Sequence, residues 1–500
     1  MRAQAAAFSE RLEQFSQVNE DEVYQLSLDL LRMVWAGGRP RPGASDAAQE
    51  IVQRVLAVPA GRRAHLAVLL GLLAETAEDD APELRRRIRD GLPRFVELLD
   101  TLKQDEPLGA ALVYLLAHFP EDAARILPAA RNAALDPDDF ARLERCLASF
   151  DPSAPFIGRA WPSPIRWTLT DAEHDRERRW LATLSPEAAS SFWEKDTRTL
   201  LAYMGGKAAA AIATGQVTSE APHEPEPETA PAPAAQATSL FDKFAAVIRC
   251  PSCKSELVRD GASVVCAQCA VDYMTDHGYL DLSAESFGAG DQIAGNSPLY
   301  LSRYEPLLRP AFLRINGSNW NGAVSITDED RYLLEHARPE GGPLLDLGAG
   351  TGRWTRLLTR RFGGERVIAF DLASAMVGRL REVVPDALTM RGPARSLPFA
   401  DGSLGAVNCW NTIQSIDDPE VTISEIGRCL HRGGTFTMLT YRPSADPLYR
   451  YFQQRHEECL GVTSFPQKEM SEALSSAGMA IVDEYTPGTF LIVTAVREGD

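Results

Sequence analysis

The stretch Leu344-Leu345-Asp346-Leu347-Gly348-Ala349-Gly350-Thr351-Gly352 constrains this chain more than any other. A short apolar run ends in an acid, a glycine-rich turn follows, and Arg353 to Arg361 reads as a helix. Strand, tight turn and helix in that order open a nucleotide-binding crevice in a doubly wound α/β sheet. The glycines let the backbone approach a ligand where a Cβ would collide. The next apolar run, Val367-Ile368-Ala369-Phe370, closes on Asp371. An acid about 20 residues past the turn is placed to bind ribose hydroxyls. The spacing D-x-G-x-G-x-G departs from the pyrophosphate fingerprint and no G-K-[ST] follows, which argues against a nucleoside triphosphate.

Further landmarks follow in order. They are Phe370-Asp371-Leu372-Ala373-Ser374-Ala375-Met376, then Ser396-Leu397-Pro398-Phe399-Ala400-Asp401-Gly402-Ser403, then Ala406 to Pro419, and last Ser424-Glu425-Ile426-Gly427-Arg428-Cys429-Leu430 with Arg432-Gly433-Gly434. Together with the glycine turn they resemble the motif series of class I S-adenosylmethionine-dependent methyltransferases over roughly residues 340–440. The resemblance implies that Gly348, Ala349, Gly350 and Gly352 admit the methionine portion of S-adenosylmethionine. Asp371 and Leu372 would meet the ribose, and Met376 and Ala394 the adenine. Asp346 would order the turn and accept from the methionyl amine through water. Many relatives carry Gly-Asp-Ala after the third strand, whereas this chain has Gly392-Pro393-Ala394. Ubiquinone-type relatives carry two histidines after the fourth strand, whereas this chain has Gln414 and Ser415, neither a good base at neutral pH. Tyr304, Asn411, Gln414 and Tyr441 are therefore the expected catalytic set, acting by orientation, with Asn411 also touching the cofactor. His336 and His456 are the alternative bases. Arg442, at the crevice mouth, reads either as an anion ligand or as a surface arginine.

Cys250-Pro251-Ser252-Cys253 and Cys266-Ala267-Gln268-Cys269 form two C-x-x-C knuckles separated by 12 residues. Paired knuckles on a hairpin deliver four thiolates to a tetrahedral zinc ion. Glu256-Leu257-Val258 and Ser263-Val264-Val265 flank the turn Arg259-Asp260-Gly261, as the hairpin requires. A ribbon ahead of a methyltransferase fold resembles bacterial large-subunit rRNA guanine methyltransferases. It is also similar to bacterial and plastid methyltransferases carrying "DGYLDL" and "SPLVSFLYERGWRQ", here Asp276-His277-Gly278-Tyr279-Leu280-Asp281-Leu282 and Ser297 to Pro306. That likeness implies that the Tyr304 segment covers the cofactor as a helical lid; plain packing is the alternative.

The amino-terminal 210 residues fall outside this resemblance. Apolar residues recur at three- and four-residue spacings in Val23–Trp35, Ile51–Val58, Leu66–Leu73, Leu84–Leu102, Leu108–His118 and Ala123–Ala134. Tyr114-Leu115-Leu116-Ala117-His118-Phe119-Pro120 with Ile126-Leu127-Pro128 resembles HEAT-type helical pairs, which offer partner-binding surfaces; a plain helical bundle is the alternative. Trp161, Trp167, Trp180 and Trp193 cluster in 151–205 and read first as core. The arginine runs Arg85–Arg89, Arg176–Arg179 and Arg353–Arg361 read as solvated helix faces.

These readings predict a multidomain protein. A helical (HEAT-like) domain spans 1–210, with its Trp-rich extension at 151–205. A Pro/Ala/Glu-rich flexible linker spans 211–240, a four-cysteine zinc ribbon 241–285, lid and connecting helices 286–335, and an α/β doubly wound Rossmann-like methyltransferase domain 336–500. The expected cofactors are S-adenosylmethionine and structural Zn²⁺, the latter held by Cys250, Cys253, Cys266 and Cys269. The expected acceptor is a small molecule or a carrier-bound group, as in specialised metabolism. The alternatives are an RNA methyltransferase and a non-catalytic scaffold whose helical domain binds a protein. A net charge of −18 weighs against broad nucleic-acid affinity. No apolar run has the length of a membrane span and no basic-then-apolar leader is visible, so a cytoplasmic location is expected.

Overall fold

The computed structural model describes residues 2–76, 82–104, 106–153, 169–217, 237–261, 263–273, 275, 278–283 and 304–499. Trp161, Trp167, most of the expected linker, the Asp276-His277 pair and the Ser297–Arg303 part of the lid motif lie outside the described residues. The chain forms two compact units. One takes Met1–Pro222 together with Ala311–Asn321 and Ser444–Leu460; the other takes His223–Pro310, Gly322–Pro443 and Gly461–Asp500.

The first unit is helical. Two helices, Ala60–Thr76 and Pro107–Leu116, are apolar around nearly their whole circumference and fully buried through Leu66–Ala74 and Leu108–Leu116. Amphipathic helices surround them. Pro82–Arg89 buries Leu84 and Ile88 and turns Arg85, Arg86, Arg87 and Arg89 outward, where they pair with Glu121, Glu83, Asp46 and Asp122. Trp180 packs on Phe192, and Trp193 on Phe150 and Arg145, but both are only half-buried, so the core reading holds in part.

The long helix Pro186–Thr214 crosses the helix Pro447–Leu460 at Gly205. A Cβ at Gly205 would lie 2.2 Å from the Phe452 ring, so only glycine permits this approach. Phe452 in turn meets Tyr114 edge-on at 5.1 Å between ring centres. Trp320 donates to the Tyr449 hydroxyl at 2.7 Å, and Tyr449 donates to the Ile315 carbonyl at 2.7 Å. The boundaries read from sequence assigned these downstream segments to the lid and methyltransferase regions. Here their apolar faces complete the helical core instead.

The second unit holds an eight-stranded sheet. Its strands are β1 (Leu280–Asp281), β2 (Leu344–Leu347), β3 (Val367–Asp371), β4 (Leu388–Arg391), β5 (Leu404–Trp410), β6 (Leu430–Tyr441), β7 (Met479–Tyr485) and β8 (Phe490–Arg497). The spatial order is β7-β8-β6-β5-β2-β3-β4-β1. The pairs from β6 through β1 are parallel, and β8 is antiparallel to both β6 and β7. The central strands β2 and β5 are buried at every residue, as strands covered on both faces must be.

One polar row crosses this apolar sheet. Asp346, Asn408, Thr437 and Thr494 stand side by side in register. Asn408 Nδ2 donates to Asp346 Oδ1 at 2.6 Å, and Thr437 Oγ1 donates to Asn408 Oδ1 at 3.4 Å. Thr355, on the helix Arg353–Phe362, donates to the other Asp346 oxygen at 2.5 Å. The buried acid thus ties β2, β5 and the helix after the glycine turn together.

The cysteine knuckles belong to the same unit. Three antiparallel strands, Val258–Asp260, Ser263–Cys266 and Val271–Tyr273, form the predicted hairpin and one more. This small sheet shares a core with the large one. Arg249 N–H donates to the Pro398 carbonyl at 2.8 Å, and Lys254 Nζ reaches the Leu397 carbonyl at 3.2 Å.

Candidate active site and cysteine cluster

Strand order reverses at β2, whose neighbours β3 and β5 lead the chain in opposite directions across the sheet. Ligands of open α/β sheets bind in the crevice at such a point, beyond the carboxyl ends of the strands. A cavity of about 370 Å³ lies there, lined by Gly348, Ala349, Gly350, Thr351, Asp371, Leu372, Met376, Pro393, Ala394, Asn411, Tyr304 and Glu305 among others. The volume falls within the range of small-molecule pockets.

The turn is built as the sequence requires. Gly348, Gly350 and Gly352 all have positive φ. A Cβ on Gly348 would lie 2.1 Å from the Thr412 methyl, and Thr412 Oγ1 donates to the Gly348 carbonyl at 3.1 Å. The turn therefore closes against the loop after β5. Gly350 N–H donates to one Asp371 oxygen at 2.8 Å and Ala373 N–H to the other at 2.9 Å. Each oxygen keeps a lone pair for a further donor. Burial raises the Asp371 carboxyl above the usual range, and the backbone donors oppose that rise.

The sequence-derived cofactor residues divide into two groups. Gly348, Ala349, Gly350, Asp371, Leu372, Met376, Ala394 and Asn411 line the cavity. Asp346 and Gly352 do not. Asp346 is 2% exposed, both of its oxygens accept from side chains, and burial pushes its pKa up to about 6. It orders the turn and does not itself line the cavity. Gly352 is the left-handed residue that starts the helix Arg353–Phe362.

The four residues expected to orient an acceptor form one network. Tyr441 donates to Asn411 Oδ1 at 2.5 Å and Gln414 Nε2 donates to the same oxygen at 3.0 Å. Asn411 Nδ2 then donates to the Tyr304 hydroxyl at 3.1 Å. Tyr304 and Asn411 line the cavity, while Tyr441 and Gln414 stand behind them, 1% and 3% exposed. Asn411 holds a left-handed φ of 54°, a conformation that costs about 1 kcal/mol or more and concentrates at functional sites. Burial pushes Tyr304 up to about 12 and Tyr441 well above the usual phenol range, so both are neutral hydrogen-bonding groups.

The other candidates stand elsewhere. His456 is fully buried in the helical unit, its Nδ1 bonded to Asn316 Oδ1 at 3.0 Å, and burial holds its pKa down at about 3. His336 stacks on Tyr332 at 4.0 Å and faces Asp483 at 3.7 Å. Arg442 donates to the carbonyls of Thr486 and Gly488. None of the three lines the cavity.

Sequence reading missed Glu305, Trp354, Trp410 and Thr412 as cavity residues. Glu305 Oε1 accepts from Thr351 Oγ1 at 3.0 Å. Arg309 forms a buried ion pair with Glu329 and lies 4.5 Å over the Trp354 ring, and Trp410 Nε1 donates to Glu329 Oε2 at 2.8 Å. The available signal was adjacency: Glu305 follows Tyr304 in the lid motif.

The cysteine sulfurs of Cys250, Cys253, Cys266 and Cys269 all lie within 4.8 Å of one another. Cys253 and Cys266 are 3.5 Å apart, and Cys250 and Cys269 are 3.9 Å apart. A tetrahedron with metal–sulfur bonds of about 2.3 Å has edges of about 3.8 Å, so the sulfurs are spaced for one ion. Lys254 and Ala270, each directly after the second cysteine of a knuckle, have φ of 59° and 53°. The two knuckles thus repeat one backbone geometry.

A methyltransferase-domain family model matches residues 345–438. A chloroplastic methyltransferase of Arabidopsis thaliana, described as uncharacterized, is 28% identical over 280 residues, covering 50% of this chain and 77% of that protein. The ubiquinone/menaquinone biosynthesis C-methyltransferase UbiE of Legionella pneumophila is 31% identical over 135 residues, covering 24% of this chain and 54% of that protein. Among solved structures, an S-adenosylmethionine-dependent methyltransferase from Mesorhizobium loti shares 20% identity at a TM-score of 0.29, over 33% of this chain and 96% of that one. The sheet-bearing part of the chain is a class I S-adenosylmethionine-dependent methyltransferase domain with a Rossmann-like mixed sheet. A helical amino-terminal region precedes it. Among the described residues no helix is long and apolar enough to cross a membrane.

Proposed function

We propose that the protein methylates a small-molecule or carrier-bound acceptor, chiefly by positioning it. The supporting observation is the wall Tyr304–Asn411–Tyr441–Gln414, a connected set of neutral hydrogen-bonding groups at a cavity that no imidazole lines among the described residues. When bound, S-adenosylmethionine supplies an already activated sulfonium methyl. Asp371 holds the ribose, the turn Gly348–Gly350 admits the methionyl chain, and Pro393, Ala394 and Met376 enclose the adenine. Asn411, fixed by two donors on one oxygen, orients the acceptor through Tyr304. Alignment of this kind can supply several orders of magnitude in rate. It suits an acceptor that gives up its proton readily: a phenol, an enol, a carboxylate or an activated carbon. The quinone C-methylation named for the Legionella relative is chemistry of that kind. The helical unit selects the acceptor or its carrier.

The four cysteines hold one structural Zn²⁺. Their spacing fits a closed site, which leaves no open position for catalysis. Elemental analysis of protein purified without chelator should give one zinc per chain, and none would defeat the assignment. Methyl transfer from radiolabelled cofactor into a host lysate, separated into small molecules, RNA and protein, tests the acceptor. Label in the small-molecule or carrier-protein fraction is expected. Label confined to RNA would replace this reading with an RNA methyltransferase, and no label in any fraction with a scaffold.

A further inference from the structure

We infer that Glu305 is the ligand for the methionyl ammonium of the cofactor. The inference rests on the S-adenosylmethionine reading and adds a residue to it. Asp371, the glycine turn and Glu305 all line the cavity. Adjacent residues of that turn tie the two acids: Gly350 N–H binds Asp371 at 2.8 Å, and Thr351 Oγ1 binds Glu305 at 3.0 Å. A cofactor whose ribose meets Asp371 runs its methionyl chain along this turn and brings the amine to the Glu305 side. Asp346, the acid that opens the turn, is buried behind it and does not line the cavity.

The charge around Glu305 points the same way. Its side chain is 29% exposed and lines the cavity. Neighbouring cations are engaged elsewhere. Arg353 holds Asp330 at 2.6 Å and stands 3.7 Å from Glu305, while Arg309 is paired with Glu329. Glu305 thus has one hydroxyl donor at hydrogen-bond distance and a longer ionic contact. Burial raises its carboxyl above the ordinary range, which marks incomplete compensation. Its oxygens retain acceptor capacity, and an ammonium group supplies the strongest donor for it.

Calorimetry on the full chain tests this with two probes, S-adenosylhomocysteine and its analogue lacking the amino group. The wild type should bind the desamino analogue about 10- to 100-fold more weakly, as expected for one charge-assisted hydrogen bond. Glu305→Gln should bind both probes with the wild type's affinity for the desamino analogue, because removing either partner removes the same interaction. Equal wild-type affinity for the two probes would overturn the inference without reference to any variant. So would a Glu305→Gln protein that still prefers the amine. A wild type that binds neither probe would instead remove the cofactor reading on which the inference stands.

Discussion

In the helical unit, buried charge is consumed internally. Asp139 binds Arg142 and Lys207, both at 2.7 Å, and all three are nearly inaccessible. In the sheet unit, besides the closed pair Arg309–Glu329, three acids stand at or beside an opening. Asp371 and Glu305 line the cavity, and Asp346 is one hydrogen bond behind the turn that frames it. Closed ion pairs of the first kind contribute little net stability while making single deletions costly. Charges of the second kind keep acceptor capacity and raised pKa values, the signature of groups built to meet a ligand. The units differ in assembly too. The glycine turn and both strand acids come from one stretch of about 30 residues, whereas the helical core draws on three separated parts of the chain.

Three experiments would break or sharpen this contrast. The largest effect should come from expressing residues 1–222 alone. Without Ala311–Asn321 and Ser444–Leu460 the helical core lacks Trp320, Tyr449 and Phe452, so cooperative thermal unfolding should be lost. A sharp melting transition in that fragment would show that its own helices suffice. Next is a paired substitution. Phe452→Ala should cost about 3–5 kcal/mol of stability and leave cofactor affinity within about twofold, since Phe452 does not line the cavity. Asp371→Ala should do the reverse, lowering affinity about 100-fold, as expected for lost charge-assisted bonds. Calorimetry and melting on both proteins would show whether the two properties separate.

The smallest effect concerns pH. Burial lifts Asp346 from an ordinary 3.8 to about 6. The unfolded chain therefore ionises first, and stability present below pH 4 declines as pH rises towards 6. Asp346→Asn can accept from Asn408 and donate to Thr355, so its melting temperature should vary less across that window. A slope equal to the wild type's would place the pH dependence in other acids.

The sheet unit was legible because its signals are local. The turn Gly348–Gly352, the acid Asp371 and the two cysteine pairs each declare themselves within a few residues, and the three glycines of the turn take the positive φ that favours glycine. The apolar spacing of the helices was readable in part: Val23–Trp35, Leu66–Leu73 and Leu108–His118 fall on helices, whereas Leu84–Leu102 divides into Pro82–Arg89 and Leu92–Leu99, and Ile51–Val58 leaves its helix at Arg54. Destination was harder to read. An apolar face such as Leu448, Tyr449 and Phe452 says that a helix will be buried, not against which partner. The role of Glu305 was hidden for the same reason: a carboxylate acquires its chemistry from Thr351 and Arg353, which lie about 50 residues downstream. Asp346 is the opposite case: its ordering role was readable from the motif, but its bonds to Asn408 and Thr355 are visible only in three dimensions.

The polar row Asp346–Asn408–Thr437–Thr494 has a consequence for how the sheet finds its alignment. Strands β2 and β5 are inaccessible throughout, so hydrophobicity alone cannot tell the native pairing from one shifted by a residue. The row can. A shift of β5 past β2 would set Val407 or Cys409 opposite Asp346 and leave a buried carboxylate and a buried amide each without its mate. An orphaned group of this kind costs about 1–3 kcal/mol, and more for a charge. Four polar side chains in an otherwise greasy sheet thus act as an alignment key, and the same key fixes the height at which the nucleotide crevice opens.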